Sequence, residues 1–182
     1  RYFDAFPYFI AGGLNAWIYV YDTCKNEVDA TTRSFFEKAF AYWAWKLRTY
    51  DVGDQLNNMN TKAIAALAGV YKNVPDSTVR NWCVEAVRKM LFGSTTGTPE
   101  TTIKATGYYS AAGYIDEGDS PETTYNGVSF NYLLEALSRT YGDPNWAFLE
   151  TVTANMAKLK VYQFFPDPDG TFNGPSGYAG RT

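Results

Sequence analysis

Histidine is the first absence: the 182-residue chain contains none. That removes Ser-His-Asp and Cys-His triads, imidazole metal ligands and imidazole acid–base catalysis from the chain's own repertoire. Cysteine is nearly as scarce. Cys24 and Cys83 are the only two, and their separation fits no metal-binding spacing. Cys83 falls on the apolar face of a helix, so the expectation is a buried free thiol rather than a bridge. An excess of positive charge is missing too. With 16 Lys and Arg against 19 Asp and Glu, a net charge of -3 and a pI near 5.0, the chain lacks the basic surplus of a nucleic-acid binder. No apolar run is long and unbroken enough to insert in a membrane, and no signal peptide is visible. Neither a P-loop, a dinucleotide glycine fingerprint nor a CxxC pair occurs. No cofactor and no metal is expected from these absences.

What is abundant is aromatic. Phe, Trp and Tyr make up 18% of the chain, and the 15 tyrosines outnumber the 12 phenylalanines. Tyr and Trp suit surfaces that need a flat apolar face with a hydrogen-bonding tip, as sugar sites do, although a tyrosine-rich helical core accounts for much of the same excess. Hydrophobic residues at 46% and charged residues at 19% are enough to bury a core.

The dominant period is helical, and six helices are expected. They run over about 4–21, 31–50, 57–72, 77–92, 125–141 and from 144 onward. The stripes that identify them are Phe6/Phe9/Ile10/Trp17/Tyr21, Phe36/Phe40/Trp43/Leu47, Ile64/Leu67/Ala68/Tyr71, Val79/Trp82/Cys83/Ala86/Val87/Met90/Leu91, Phe130/Leu134/Leu137/Tyr141 and Leu149/Val152/Met156/Leu159. Tyr42 and Trp45 stand off the second stripe, which predicts that this helix buries more than one face. Gly93 and the pair Asp143-Pro144 supply a stop and a start. No period-2 strand is evident. The expected fold is all-α, a single helical domain over 1–182 built of helical hairpins that form part of an α/α toroid. Two long irregular segments, 93–123 and 164–182, carry enough tyrosine and phenylalanine to predict order, and such segments are usually functional. The chain opens Arg1-Tyr2-Phe3 and stops at Gly180-Arg181-Thr182 inside a loop-like run, so the expectation is a fragment of a longer protein.

Three constellations could carry chemistry. Asp54-Gln55-Leu56-Asn57-Asn58-Met59-Asn60 opens the third helix with three asparagines where capping needs one. Carboxamides there could bond hydroxyls or hold a carboxylate whose α-proton is being removed. Gly118-Asp119-Ser120-Pro121-Glu122 leads into Tyr125-Asn126-Gly127. Tyr125, Ser129 and Tyr132 share one face, opposite the Phe130/Leu134/Leu137 stripe. A phenol at a helix start can act as base and acid when a cation or hydrogen bonds lower its pKa; an ordinary interface tyrosine fits as well. Asp116, Glu117, Asp119 and Glu122 could bind calcium or form a paired-carboxylate glycosidase site, but their spacing fits no EF-hand and a solvated acidic loop explains them. The third constellation, Phe165-Pro166-Asp167-Pro168-Asp169-Gly170, makes turns and ends near Arg181, a natural partner for a carboxylate.

At these residues the chain resembles the α/α-toroid polysaccharide lyases, the group of alginate lyases and heparinase II/III-like enzymes. LNNMNTKAIAALAGVY is similar to the family segment in which Asn-Asn-His opens an inner helix. DEGDSPETTYNGVSFNYLLEAL is similar to the loop that runs into a helix bearing a catalytic tyrosine. FPDPDGTFNGPSGYAGRT looks like a related Asp-Gly turn. Together these cover about a third of the chain. The resemblance implies β-elimination on a uronic-acid-containing polysaccharide or oligosaccharide. In it, Asn57 and Asn58 would neutralise the substrate carboxylate and Tyr125 would transfer the proton. Asn60, Asp119, Glu122, Asn126, Tyr132 and Arg181 would contact substrate. It also implies a periplasmic or extracellular location and missing parts of the parent chain that complete the toroid. Where the family has histidine after its asparagines, this chain has Met59, and tyrosine alone would then serve as both base and acid. The alternatives are a noncatalytic glycan-binding or scaffold module, and a glycoside hydrolase on the same architecture using Asp119 or Glu122.

Overall fold

A computed structural model describes residues 7–48, 57–93, 107–110, 112–115 and 123–163. These form six helices: α1 (Pro7–Cys24), α2 (Ala30–Arg48), α3 (Asn57–Asn73), α4 (Ser77–Phe92), α5 (Thr123–Thr140) and α6 (Ala147–Gln163). A small antiparallel hairpin, β1 (Tyr109–Ser110) and β2 (Tyr114–Ile115), precedes α5. The fold is predominantly helical, as the periodicity implied, but the hairpin corrects the expectation of no strand. With two residues in each strand it had no alternation to display.

The caps explain the boundaries. Asp29 accepts from the Thr32 N–H at 2.8 Å and so starts α2. Asp76 does the same for α4, accepting from Thr78 N at 2.8 Å and Val79 N at 3.1 Å. Gly93 closes α4 at φ 83°, a left-handed conformation that glycine adopts without steric cost. Asp143 caps a single 3₁₀ turn at Pro144–Trp146, and only then does α6 begin.

The helices pack as consecutive antiparallel pairs, and the odd-numbered ones lie side by side. Gly12 meets Lys62 and Gly69 meets Ile18, so α1 and α3 run the same way. Thr61 meets Ser129 and the Ala65 carbonyl meets Arg139, so α5 runs the same way again. α3 is the middle of this layer and is buried without interruption from Ala63 to Tyr71. Its alanines and Gly69 permit that close packing: a Cβ on Gly69 would lie 2.7 Å from Ile18 Cγ2. Arg139 ties all three helices together. Its Nη1 donates to Asn15 Oδ1 at 2.6 Å and to the Ala65 carbonyl at 2.7 Å, while Nη2 pairs with Glu135 at 2.9 Å.

Several faces differ from the sequence expectation. In α1 the buried stripe is Ala11/Leu14/Ile18/Tyr21, and Trp17 is 49% exposed. In α5 it is Asn126/Ser129/Leu133/Ala136/Thr140, whereas Leu134 and Tyr141 are exposed. The face expected to be polar and outward is therefore the one that packs on α3. Four of its five side chains are small or polar, which suits the narrow gap between two closely spaced helices. Tyr42 (51% exposed) and Trp45 (42%) also correct the expectation that α2 buries a second face. α4 follows its stripe, with Val79, Cys83, Ala86, Val87, Met90 and Leu91 buried and Trp82 half-buried against them. Cys24 and Cys83 are both free thiols, and burial pushes the Cys83 thiol up to about 12 against the opposing charge of Arg80.

Candidate functional site

The parallel register of α3 and α5 defines one end of the molecule. The Thr61 hydroxyl donates to the Ser129 hydroxyl at 3.3 Å, deep between the two helices. Asn57 precedes Thr61 by one helical turn, Asn58 precedes Lys62 by one turn, and Tyr125 precedes Ser129 by one turn. At 1.5 Å per residue, backbone positions 57 and 125 therefore stand about 6 Å beyond that hydrogen bond, each on its helix's facing side. Only their backbone is described. The side chains of Asn57, Asn58 and Tyr125, and all of Asp116, Glu117, Asp119, Glu122, the 164–182 segment and Arg181, lie outside the described residues.

Two cations reach this end. The Lys62 ammonium lies against Gly12, where an added Cβ would come within 2.9 Å of Nζ, and it stands 5.9 Å from the Tyr132 ring centroid. Gly12 thus provides a notch in α1 for a lysine rooted on α3. Lys160, near the end of α6, brings its Nζ to 3.8 Å from the Cβ position of Gly127. The N-termini of α1, α3 and α5 point the same way here, and none carries an acidic residue in its first turn. The aligned helix dipoles place their positive ends beside the two ammonium groups.

Asn126 and Asn60 sit below that surface. The Asn126 side chain mimics a strand: its Oδ1 accepts from Ile115 N at 2.8 Å and its Nδ2 donates to Ile115 O at 2.9 Å. It fastens the hairpin to α5. The hairpin is also held by Asn155, whose Nδ2 donates to the Tyr109 hydroxyl at 3.0 Å, and burial raises the Tyr109 pKa despite that bond. Gly113 turns the hairpin at φ 87° with its Cα side against the Asn155 carbonyl. Asn60 is 2% exposed and its Nδ2 has no hydrogen-bond partner. Tyr132 is half-buried under Lys62.

Sequence reasoning missed Lys62, Lys160 and Arg139. Lys62 had a signal, since it stands four residues after Asn58 on the same helix face. Lys160 and Arg139 had none, because both meet their neighbours through the packing of separate helices.

The opposite end of the layer is built from ion pairs. The Tyr71 hydroxyl donates to Asp143 Oδ2 at 2.7 Å and accepts from Asn145 Nδ2 at 3.1 Å, while the Arg80 guanidinium lies 4.1 Å from the Tyr71 ring centroid. Burial would raise the Asp143 pKa, but the bonds from Tyr71 and Asn145 and the nearby Arg80 outweigh it and hold the carboxyl below its usual range. Lys25 bridges Asp22 at 3.0 Å and Asn73 at 2.9 Å. Arg80 Nε and Trp146 Nε1 are buried without a partner at this end. A recess of about 200 Å³ lined by Lys25, Arg33, Lys72 and Asn73 also opens here, with Glu37 on its wall.

Among the described residues no group of three or more acidic or cysteine side chains is placed to hold a metal, and no helix is long and apolar enough to cross a membrane. Compared with protein-family profiles, with curated proteins and with solved structures, the chain matches none of them.

Proposed function

We propose that the chain is the helical part of a polysaccharide-lyase-like protein that cleaves a uronic-acid-containing polysaccharide by β-elimination. The observation that carries this reading is the shared register of α3 and α5, pinned by the Thr61–Ser129 bond, which sets backbone positions 57, 58 and 125 at one end. The parallel odd-numbered layer is in keeping with an arc of an α/α toroid.

In this reading the Asn57 and Asn58 carboxamides and the Lys62 ammonium hold the substrate carboxylate. Neutralising that charge acidifies the adjacent C–H and stabilises the enolate that forms when the proton leaves. The Tyr125 phenolate takes the proton. The electron pair forms the ring double bond as the glycosidic C–O bond breaks, and the tyrosine returns the proton to the departing oxygen. Lys62 and the positive ends of α3 and α5 stabilise the negative charge that develops on the substrate. Without histidine, those groups are the available substitute.

The test is ultraviolet absorbance during incubation of the full-length protein with uronate polysaccharides. The new conjugated double bond absorbs, and Tyr125→Phe is expected to lower its rate of appearance by about 10²–10⁴-fold. No absorbance on any uronate polymer, or full turnover in the variant, would overturn the reading. A second reading, a noncatalytic glycan-binding module, is favoured by the exposed aromatics of α2; it predicts binding without absorbance.

A further inference from the structure

The outward face of α2 carries a stripe that the core does not use. Thr31, Phe35, Lys38, Tyr42, Trp45 and Lys46 fall within one third of the helix circumference, at the spacing of successive turns. Phe35 is 66% exposed, Tyr42 51% and Trp45 42%. The Tyr42 and Trp45 rings are 6.4 Å apart and inclined to each other by 33°. The Lys46 ammonium stands 5.9 Å from one ring centroid and 5.4 Å from the other. At the other end of the stripe, Thr31, Ser34, Phe35 and Lys38 line a shallow recess of about 450 Å³. From Phe35 to Trp45 the stripe runs about 15 Å along the helix.

We infer that this stripe is an accessory binding surface for an anionic glycan, with sugar rings stacked on Tyr42, Trp45 and Phe35 and their carboxylates met by Lys38 and Lys46. The choice of occupant rests on charge. The stripe holds three exposed aromatics and two lysines and no carboxylate, although the chain as a whole is negative. A twofold contact with a second copy would set lysines against lysines. Two exposed rings with one ammonium within 6 Å of both centroids instead complement a sugar ring that has an apolar face and an acidic substituent. Because α2 returns antiparallel to α1, Tyr42, Trp45 and Lys46 lie toward the same end of the molecule as Gly12 and Lys62. A polymer held there is brought close to the candidate site.

This inference rests on the reading of the chain as a glycan-active protein, and the experiment separates the two. Affinity for alginate and polygalacturonate oligosaccharides would be measured by calorimetry on the full-length protein, its Tyr42→Ala/Trp45→Ala variant and its Lys38→Met/Lys46→Met variant. Circular dichroism would check folding, which these exposed positions leave intact. The aromatic variant is expected to bind about tenfold more weakly or worse. The lysine variant should lose its preference for uronates over a neutral glucan while keeping residual affinity for both. Unchanged affinity in the aromatic variant would overturn the inference. So would failure of the unaltered protein to bind any uronate, equal binding of single-stranded nucleic acid, or self-association that the aromatic substitutions abolish. Binding lost in the aromatic variant, with no elimination by any form, would sink the lyase reading and leave the stripe standing. Elimination with a KM indifferent to the stripe would do the reverse.

Discussion

The two ends of the α1/α3/α5 layer are built from different chemistry. At the end where these helices finish, cations meet acids: Arg80 with Asp143, and Lys25 and Lys72 with Asp22. Those pairs also offset the negative ends of the helix dipoles. At the end where the helices begin, carboxamides, hydroxyls and two ammonium groups meet, and the dipoles add to the positive charge instead of cancelling it. One end is closed by ion pairs; the other is where we propose that an anionic ligand binds. Substitutions should therefore divide by end: stability falls at the first, and ligand affinity or turnover falls at the second.

The largest expected effect lies between the ends. Arg139→Ala removes the group that joins α1, α3 and α5, leaving Asn15 and Glu135 without it, and should destabilise the fold by about 3 kcal/mol in chemical denaturation. A loss below about 1 kcal/mol would mean the layer is held by packing alone. Next is Asn126→Ala, which leaves the Ile115 N–H and C=O without partners. A cost of about 2 kcal/mol is expected, with the hairpin amides becoming the first to exchange with solvent. Although Asn126 lies near the candidate site, this substitution should act on the hairpin; loss of glycan affinity with full stability would instead make it a ligand contact.

Tyr71→Phe should cost about 1 kcal/mol and carries a pH signature. The Asp143 carboxyl is held low in the folded protein. Its contribution is therefore present above the unfolded carboxylate pKa and is lost as pH falls through the lower folded value. Asp22 adds to the same acid limb, its pKa lowered by Lys25 and Lys72 against the upward push of burial. Denaturation curves collected between pH 7 and pH 2 should show a shallower decline for Tyr71→Phe. An identical slope would remove Asp143 from the account. Gly12→Ala is the mildest and the most discriminating. Alanine in a helix interior gains up to about 1 kcal/mol over glycine, yet its Cβ takes the notch and must displace the Lys62 ammonium. Unchanged or raised stability with severalfold weaker uronate binding is the expected result. Unchanged affinity would detach Lys62 from the site.

Much of the fold was legible wherever a local rule decided it. The Gly93 stop and the α4 stripe are set within one helix, and the structure has them where the sequence placed them. The faces of α1 and α5 were less legible. Trp17 and Leu134 are strongly apolar yet exposed, while Ser129 and Thr140 are buried. Which face turns inward depends on how closely the neighbouring helix approaches, and here the small residues of α3 favour small side chains opposite. The candidate site divides in the same way. Spacing alone aligned Tyr125 with Ser129 and Tyr132. That α3 and α5 run parallel and bring their first turns to one end was not a property of either segment.

The sequence alone thus determined the helical class, the stop of α4, the capped start of the turn before α6, and the absence of imidazole chemistry from this chain, because these follow from composition and from interactions within a few residues. Tertiary structure decided the rest: the α1/α3/α5 layer, the Arg139 junction, the seating of Lys62 against Gly12, and the exposure of Tyr42 and Trp45. Each depends on groups far apart in the chain, and only packing, which optimises the whole set of contacts together, brings them within reach.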